Sequence, residues 1–137
     1  MNKLLSLILL LGLFSCGTQQ NFSSENPHTL SFGSGGGFAN QTTEYRIHTD
    51  GKVWKYRGLE NDSSLLLQLK KGKTKKVFKQ AYKLGLDTLV LNEPGNMTYF
   101  IELKSEAFDN KLKWSKDKGV AEVTEFYTTL INHTKSQ

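Results

Sequence analysis

Residues 45–56 read YRIHTDGKVWKY, a stretch in which apolar and polar side chains alternate on both sides of Asp50-Gly51. An Asp-Gly pair between two alternating segments is typical of a β-hairpin with a two-residue turn. Folding the chain about this pair places Ile47 opposite Trp54, and the period of two gathers the neighbouring apolar side chains on the same face. The predicted apolar face consists of Tyr45, Ile47, Trp54 and Tyr56.

Other segments on both sides of this hairpin also alternate as strands. Residues 29–32 alternate and run into the glycine-rich residues 33–37, which we predict to be a loop. The leucines within residues 65–69 indicate a further strand. Residues 97–103 alternate again, and residues 112–114 belong to their predicted hairpin partner.

Two segments have helical periodicity. The first is predicted to begin at Thr74 as its N-cap and to end at Gly85, which suits a left-handed C-cap. A type II turn with Pro94 and Gly95 at its centre is predicted before the strand that starts at Met97. The second helix carries on one side Val120, Val123, Phe126, Tyr127, Leu130 and Ile131. The order of elements predicts an α+β fold, an antiparallel sheet of hairpins with two helices packed on one face.

The N-terminus has the features of a bacterial lipoprotein precursor. Lys3 precedes the apolar residues 4–14, which as a helix would span about 16 Å, roughly half of a bilayer's hydrocarbon core. This length is typical of a secretory signal peptide. The run ends in Leu-Phe-Ser-Cys16, which resembles a lipobox with an unusually bulky Phe14. We therefore expect residues 1–15 to be a signal peptide, 16–27 a flexible tether and 28–137 a single domain.

Lipid on Cys16 has consequences for chemistry and location. Cys16 is the single cysteine of the chain, so its lipidation leaves the domain without a thiol for disulfides, catalysis or metal binding. Acyl chains on this residue would hold the protein to a membrane. Gly17 rather than an aspartate follows, which is similar to lipoproteins sorted to the outer membrane. We expect a domain in the bacterial cell envelope that faces the periplasm.

The sequence contains no recognisable catalytic or metal-binding set. The three histidines, His28, His48 and His133, do not have metal-ligand spacing. Residues 72–74 read Gly-Lys-Thr but lack the earlier glycine of a phosphate-binding loop. The glycines of residues 33–37 precede a strand rather than a helix, unlike a dinucleotide-binding fingerprint. We expect a protein that is not an enzyme and that needs no metal or cofactor.

Residues 70–83 contain seven lysines and no acidic residue. Two interpretations remain open: a solvated helix face that keeps the domain soluble, or a surface for an anionic partner. An exported lipoprotein would meet anionic lipid headgroups or acidic proteins rather than nucleic acid. The use of lysine rather than arginine argues against bidentate phosphate recognition. The candidate contacts are Lys75, Lys76 and Lys79.

The glycine stretch Ser34–Ala39, a helix that ends in Leu-Gly85-Leu, the strands near residues 99–114 and a closing helix occur in an order that resembles emfourin-like domains. These are small α+β proteins whose founding type inhibits thermolysin-like metalloproteases. The order is also similar to small lipoproteins of uncharacterised function that share the glycine loop and the Pro-Gly-Asn turn. The resemblance spans residues 33–131.

The chain departs from that pattern near the glycine stretch. It has an extra glycine before Phe38, Asn40 where the family usually continues with glycine, and the inserted Asp50-Gly51 hairpin. The resemblance implies an inhibitory site formed by Gly35, Gly36, Gly37 and Phe38. The residues themselves also allow a nest of backbone amides for an anion, or a structural bulge or turn at which another backbone approaches closely.

These observations predict a membrane-anchored, non-enzymatic binding module of the cell envelope. Its partner would be an envelope protein, a protease or anionic lipid headgroups. The alternative is an inhibitor of a thermolysin-like metalloprotease that acts through the glycine stretch.

Overall fold

The computed structural model describes residues 26–58 and 62–135, so the predicted signal peptide, Cys16 and nearly all of the tether lie outside the described residues. The described chain is α+β, as predicted. Its strands are β1 Thr29–Gly36, β2 Gln41–His48, β3 Lys52–Arg57, β4 Asp62–Gln68, β5 Asn92–Glu93, β6 Met97–Lys104 and β7 Asp109–Trp114. Its helices are α1 Lys71–Lys83 and α2 Ala121–Lys135.

The strands form one sheet in the order β4-β3-β2-β1-β6-β7-β5. All neighbours are antiparallel except β5 and β7, which are parallel. β1 lies near the middle and pairs over its whole length with β2 on one side and β6 on the other. None of the described helices is long and apolar enough to cross a membrane.

The core is a single hydrophobic cluster that contains buried residues of the sheet and of both helices. On β1, Leu30 and Phe32 are fully buried and lie opposite Ile47 and Tyr45 of β2. Tyr45 also stacks on the ring of Phe32 at a centroid distance of 5.5 Å. The predicted strands at residues 97–103 and 112–114 are confirmed, because they form β6 and β7 and contribute buried side chains to this cluster.

Residues 33–36 of the predicted glycine loop are part of β1, and only Gly37 lies in the turn that follows. A Cβ atom on Gly33 would lie 2.0 Å from the carbonyl oxygen of Thr43, and one on Gly36 would lie 2.2 Å from that of Asn96. Side chains at these positions would therefore collide with the backbone on either side of β1. The interpretation that glycine permits close backbone approach is confirmed, but the approach occurs within a central strand.

The predicted register of the β2–β3 hairpin is wrong by one residue. Ile47 pairs with Val53, and Trp54 pairs with Arg46. The turn contains three residues, because Gly51 adopts a φ of 87° and donates its N–H to the carbonyl of His48. A shift of one residue turns every side chain of a strand to the other face. Val53 consequently enters the core, and Trp54 lies on the opposite face of the sheet.

The start of α1 differs from the prediction, and its end confirms it. The helix begins at Lys71, and Thr74 is a buried first-turn residue whose hydroxyl donates to the carbonyl of Lys70 rather than capping the helix. At the C-terminus, Gly85 has a φ of 71° and donates to Tyr82, and the N–H of the next residue, Leu86, donates to Ala81. These two bonds form a Schellman motif.

The predicted type II turn is also wrong, because Gly95 does not have the positive φ that this turn requires at its third position. Gly95 is instead held by Thr98, whose hydroxyl accepts its N–H and donates to its carbonyl. A Cβ atom on Gly95 would lie 2.7 Å from the Cβ of Ser115, which explains the glycine there. Val120, predicted on the apolar side of the second helix, precedes α2 and is exposed.

We expect Gly33→Ala to lower the free energy of unfolding by about 3 kcal/mol or more, because the new methyl group collides with backbone that cannot move aside. Gly72→Ala is the matched control. No atom lies within 4 Å of a Cβ atom there. Since alanine favours helix over glycine, this change should raise the free energy by up to about 1 kcal/mol. Urea unfolding followed by circular dichroism measures both, and equal effects would contradict the steric explanation.

Candidate functional site

The hairpin tip, residues 36–40, joins β1 to β2 and presents Phe38 to solvent. Phe38 has a relative exposure of 112%, so its ring makes no contact that would stabilise the fold. Three residues of the tip adopt positive φ: Gly36 at 104°, Gly37 at 71° and Asn40 at 44°. Asparagine is one of the few non-glycine residues that tolerates this conformation. Asn40 therefore suits the turn.

The hairpin tip is braced by the segment before β6. The N–H of Gly37 donates to the carbonyl of Asn96 at 2.8 Å, and the N–H of Asn40 donates to the carbonyl of Gly37 at 3.2 Å. The side chain of Met97, itself partly exposed, lies beside Gly37. The tip is consequently a closed, hydrogen-bonded turn with an aromatic ring at its end.

The hairpin tip lies at the far end of β1 from the predicted tether. β1 runs for eight residues from Thr29, just after the first described residue, to Gly36 at the tip. At 3.3 Å per residue this distance is about 23 Å. Gly35, another candidate residue, does not belong to the tip but pairs with Thr42 and Thr98 inside the sheet.

The candidate lysines are exposed on α1, away from the hairpin tip. Lys76 and Lys79 line a groove of about 880 Å³ between α1 and α2, whereas Lys75 is not part of its lining. The lining contains no residue of the hairpin tip. The structure therefore places the hairpin tip and the groove on separate surfaces, and Gly35 and Lys75 belong to neither.

The groove has an apolar floor and charged walls. Val77 of α1 and Phe126 of α2 contribute to the floor, and both side chains are buried. Glu122 and Glu125 stand on the α2 side. His133 lies at one end, where burial and then the charge of Lys73 lower its pKa. Within the described residues, 26–58 and 62–135, no lysine of α1 forms an ion pair.

His28, expected only at the start of the domain, is a buried structural residue. One ring nitrogen is 2.7 Å from the hydroxyl of Tyr82, and the other is 2.8 Å from the carbonyl of Asn26. Its ring also meets that of Phe108 edge to face. Burial raises the pKa of Tyr82 to about 12. Among the residues that the structure describes, no group of three or more His, Cys, Asp or Glu is arranged to hold a metal ion.

The face of the sheet opposite the core carries a cluster that the sequence prediction missed. The guanidinium of Arg46 lies 4.1 Å from the ring centre of Tyr56 and donates to Glu44. Farther along this face, the ammonium of Lys111 lies 4.4 Å from the ring centre of Phe100. The predicted register placed Tyr56 in the core, so the pairing with Arg46 was not visible. Recognising Gly51 as the third residue of a longer turn would have revealed it.

A smaller pocket of about 330 Å³ lies beside this cluster. Gly35 and Thr42 form one side of it, and Phe100, Lys111 and Lys113 contribute to the other. The Glu102 carboxyl on the same face has its pKa raised by burial, although the charge of Lys111 opposes that shift. The lysine charges next to the pocket are thus partly balanced within the face itself.

No protein-family model matches the chain, and no curated protein matches it. The assignment of its sites therefore depends on the geometry of the chain itself.

The unfolding free energy should depend on His48 and His133. In the folded protein the pKa of each histidine lies below the ordinary value of 6.5, and burial is the main cause. The unfolded chain then binds more protons over the interval between the lowered pKa and 6.5, so stability rises with pH across that interval and falls as the pH drops through it. The variant His48→Gln/His133→Gln should lose less stability between about pH 8 and about pH 5 than the parent chain. Denaturant titrations at each pH measure this difference, and parallel curves would contradict it.

Proposed function

We propose that the chain is a lipid-anchored, non-enzymatic binding module of the bacterial cell envelope that docks a partner protein through its hairpin tip. The observation that carries this proposal is Phe38, which is fully exposed at the end of a braced turn. Aromatic side chains that enter a partner's pocket supply much of the energy of many interfaces. A turn already held in one conformation loses little entropy on binding.

In this proposal both helices cover the same face of the sheet, which leaves the tip free to project. Two observations support this arrangement. Val77 of α1 and Phe126 of α2 belong to one hydrophobic cluster with β1 and β6. Residues of both helices also line the same groove.

The anchor in this proposal is the lipid on Cys16, with the domain in the periplasm at the outer membrane. The apolar N-terminal run and its lipobox-like end support it. The direction of β1 agrees with such an anchor, because the strand starts next to the tether and ends at the hairpin tip. A partner would then bind at the end of the domain farther from the tether.

Inhibition of a thermolysin-like metalloprotease is the second candidate function, and it uses the same tip. The braced turn favours it, because protease inhibitors present a preorganised segment whose backbone changes little on binding. The resemblance to emfourin-like domains points to the same residues, Gly36 to Phe38. An inhibitor and a binding module differ in one measurable property. Only an inhibitor lowers the rate at which the protease cleaves its substrate.

We expect Phe38→Ala to weaken partner binding about 30-fold, the effect of removing an aromatic anchor worth about 2 kcal/mol. The ring makes no internal contact, so the free energy of unfolding should not change. A photo-crosslinker at Ala39 identifies the partner in the envelope, and titration against that partner measures the affinity. Val90→Ala is the matched control, because Val90 is also exposed but lies outside the tip.

The same two variants distinguish the two functions. If the protein inhibits a thermolysin-like metalloprotease stoichiometrically, and Phe38→Ala loses this inhibition while Val90→Ala keeps it, the function is protease inhibition. Unchanged partner affinity in Phe38→Ala would contradict both, since both depend on the hairpin tip.

The anchor has a separate test. Cys16→Ser should prevent lipid attachment, because serine offers no thiol, and the protein should no longer incorporate radiolabelled palmitate. Without acyl chains it should leave the outer-membrane fraction. Continued labelling of the variant would show that the lipid is elsewhere and would contradict the proposed anchor.

A further inference from the structure

Most lysines of α1 oppose the stability of their own helix, whereas Lys83 in the last turn suits the helix dipole. The helix contains six lysines and no acidic residue, and Lys71 and Lys73 lie in its first turn. Positive charges there face the positive end of the helix dipole, and lysines three or four residues apart repel one another. Within the described chain no ion pair compensates for this arrangement. Residues that destabilise their own helix and gain no stabilising contact within the protein often belong to a functional surface.

Four of these lysines form a row along the groove. They are Lys73, Lys76, Lys79 and Lys83. Lys83 is ten positions after Lys73, so the row is about 15 Å long at 1.5 Å per residue. Beneath it lie the apolar side chains of Val77, Leu84 and Phe126. The groove thus offers a narrow apolar floor, of which Leu84 is the more exposed part, and positive charge along one wall.

The acidic residues on the opposite wall have a structural reason to be there. Glu122 lies in the first turn of α2, where a carboxylate is stabilised by the helix dipole, and Glu125 follows one turn later. Neither forms an ion pair with a lysine across the groove among the described residues. The lysine row therefore has no direct ion pair with the wall that faces it.

The shape of the groove favours one occupant. A lipid surface could contact all four lysines but would not reach the recessed apolar side chains between the helices. Carboxylates spaced one turn apart on a helix would meet all four, while the apolar side of that helix would cover the floor. We propose that the groove between α1 and α2 binds an acidic amphipathic helix of a partner protein. This surface is separate from the hairpin tip, and the inference does not depend on the tip's function.

The test uses the full chain and a synthetic amphipathic peptide of about 18 residues, with leucines on one side and glutamates along the flank. Fluorescence anisotropy of the labelled peptide measures binding. The peptide should bind, and its affinity should fall as salt rises, since the contacts are between exposed charges. A peptide with glutamine in place of each glutamate should bind about tenfold more weakly.

Two adjacent lysines provide a matched pair of variants. Lys76→Glu changes a residue that lines the groove, and Lys75→Glu makes the same change of charge at a residue outside the lining. Lys76→Glu should weaken peptide binding about fivefold, and Lys76→Glu/Lys79→Glu by tenfold or more, roughly what exposed charge pairs contribute. Lys75→Glu should change the affinity by less than about twofold. Phe38→Ala should leave it unchanged, which separates this site from the hairpin tip.

Three results would overturn the inference. The first is failure of the glutamate peptide to bind. The second is an equal loss of affinity in Lys75→Glu and Lys76→Glu, which would mean that net charge alone attracts the peptide. The third is binding of phosphatidylglycerol vesicles with the same dependence on Lys76 while the peptide does not compete, which would identify a lipid surface as the occupant.

Discussion

The pairing of β1 with two neighbours is the constraint on which the rest of the structure depends. Each of its eight residues has a partner in β2 and another in β6. This arrangement brings backbone so close to Gly33 and Gly36 that neither position could hold a methyl group without movement. Leu30 and Phe32 of the same strand enter the core. β1 therefore determines where neighbouring strands approach each other most closely, and it supplies apolar side chains to the core.

The same constraint determines the position of the hairpin tip. Asn96, which accepts the N–H of Gly37, immediately precedes β6, and Gly36 pairs with Met97 at the end of the ladder. The tip is thus held by the strand on each side of it rather than by contacts of Phe38. The lysine-rich groove belongs to another part of the fold, because it depends on the proximity of α1 and α2. The two surfaces therefore have different supporting contacts.

The sequence predicted those features whose cause lies close along the chain. The alternation of Met97 to Leu103 identified β6, and Gly85 identified the end of α1, because a left-handed cap needs glycine at that position. An Asp-Gly pair fits a turn of two or three residues, so the position of Trp54 could not be decided locally. The strand at Gly33 has no side-chain period to detect, and Phe100, its partner in β6, is distant in sequence. The candidate residues were chosen from the sequence, but the separation of the hairpin tip from the groove depends on the packing of the helices.

The pairing of β1 with β6 also has a consequence for how the protein acquires its structure. Thr29 pairs with Lys104, so the centre of the sheet joins segments 75 residues apart in the chain. Contacts of such separation slow folding, because a long loop must close before they form. β1 can pair with β2 early, but its other edge stays open until β6 has also joined the sheet. That open edge includes Gly33 and Gly36 and can accept a foreign strand in the meantime. The folding chain is consequently most vulnerable to aggregation in the interval between the completion of its first hairpin and the pairing of β6.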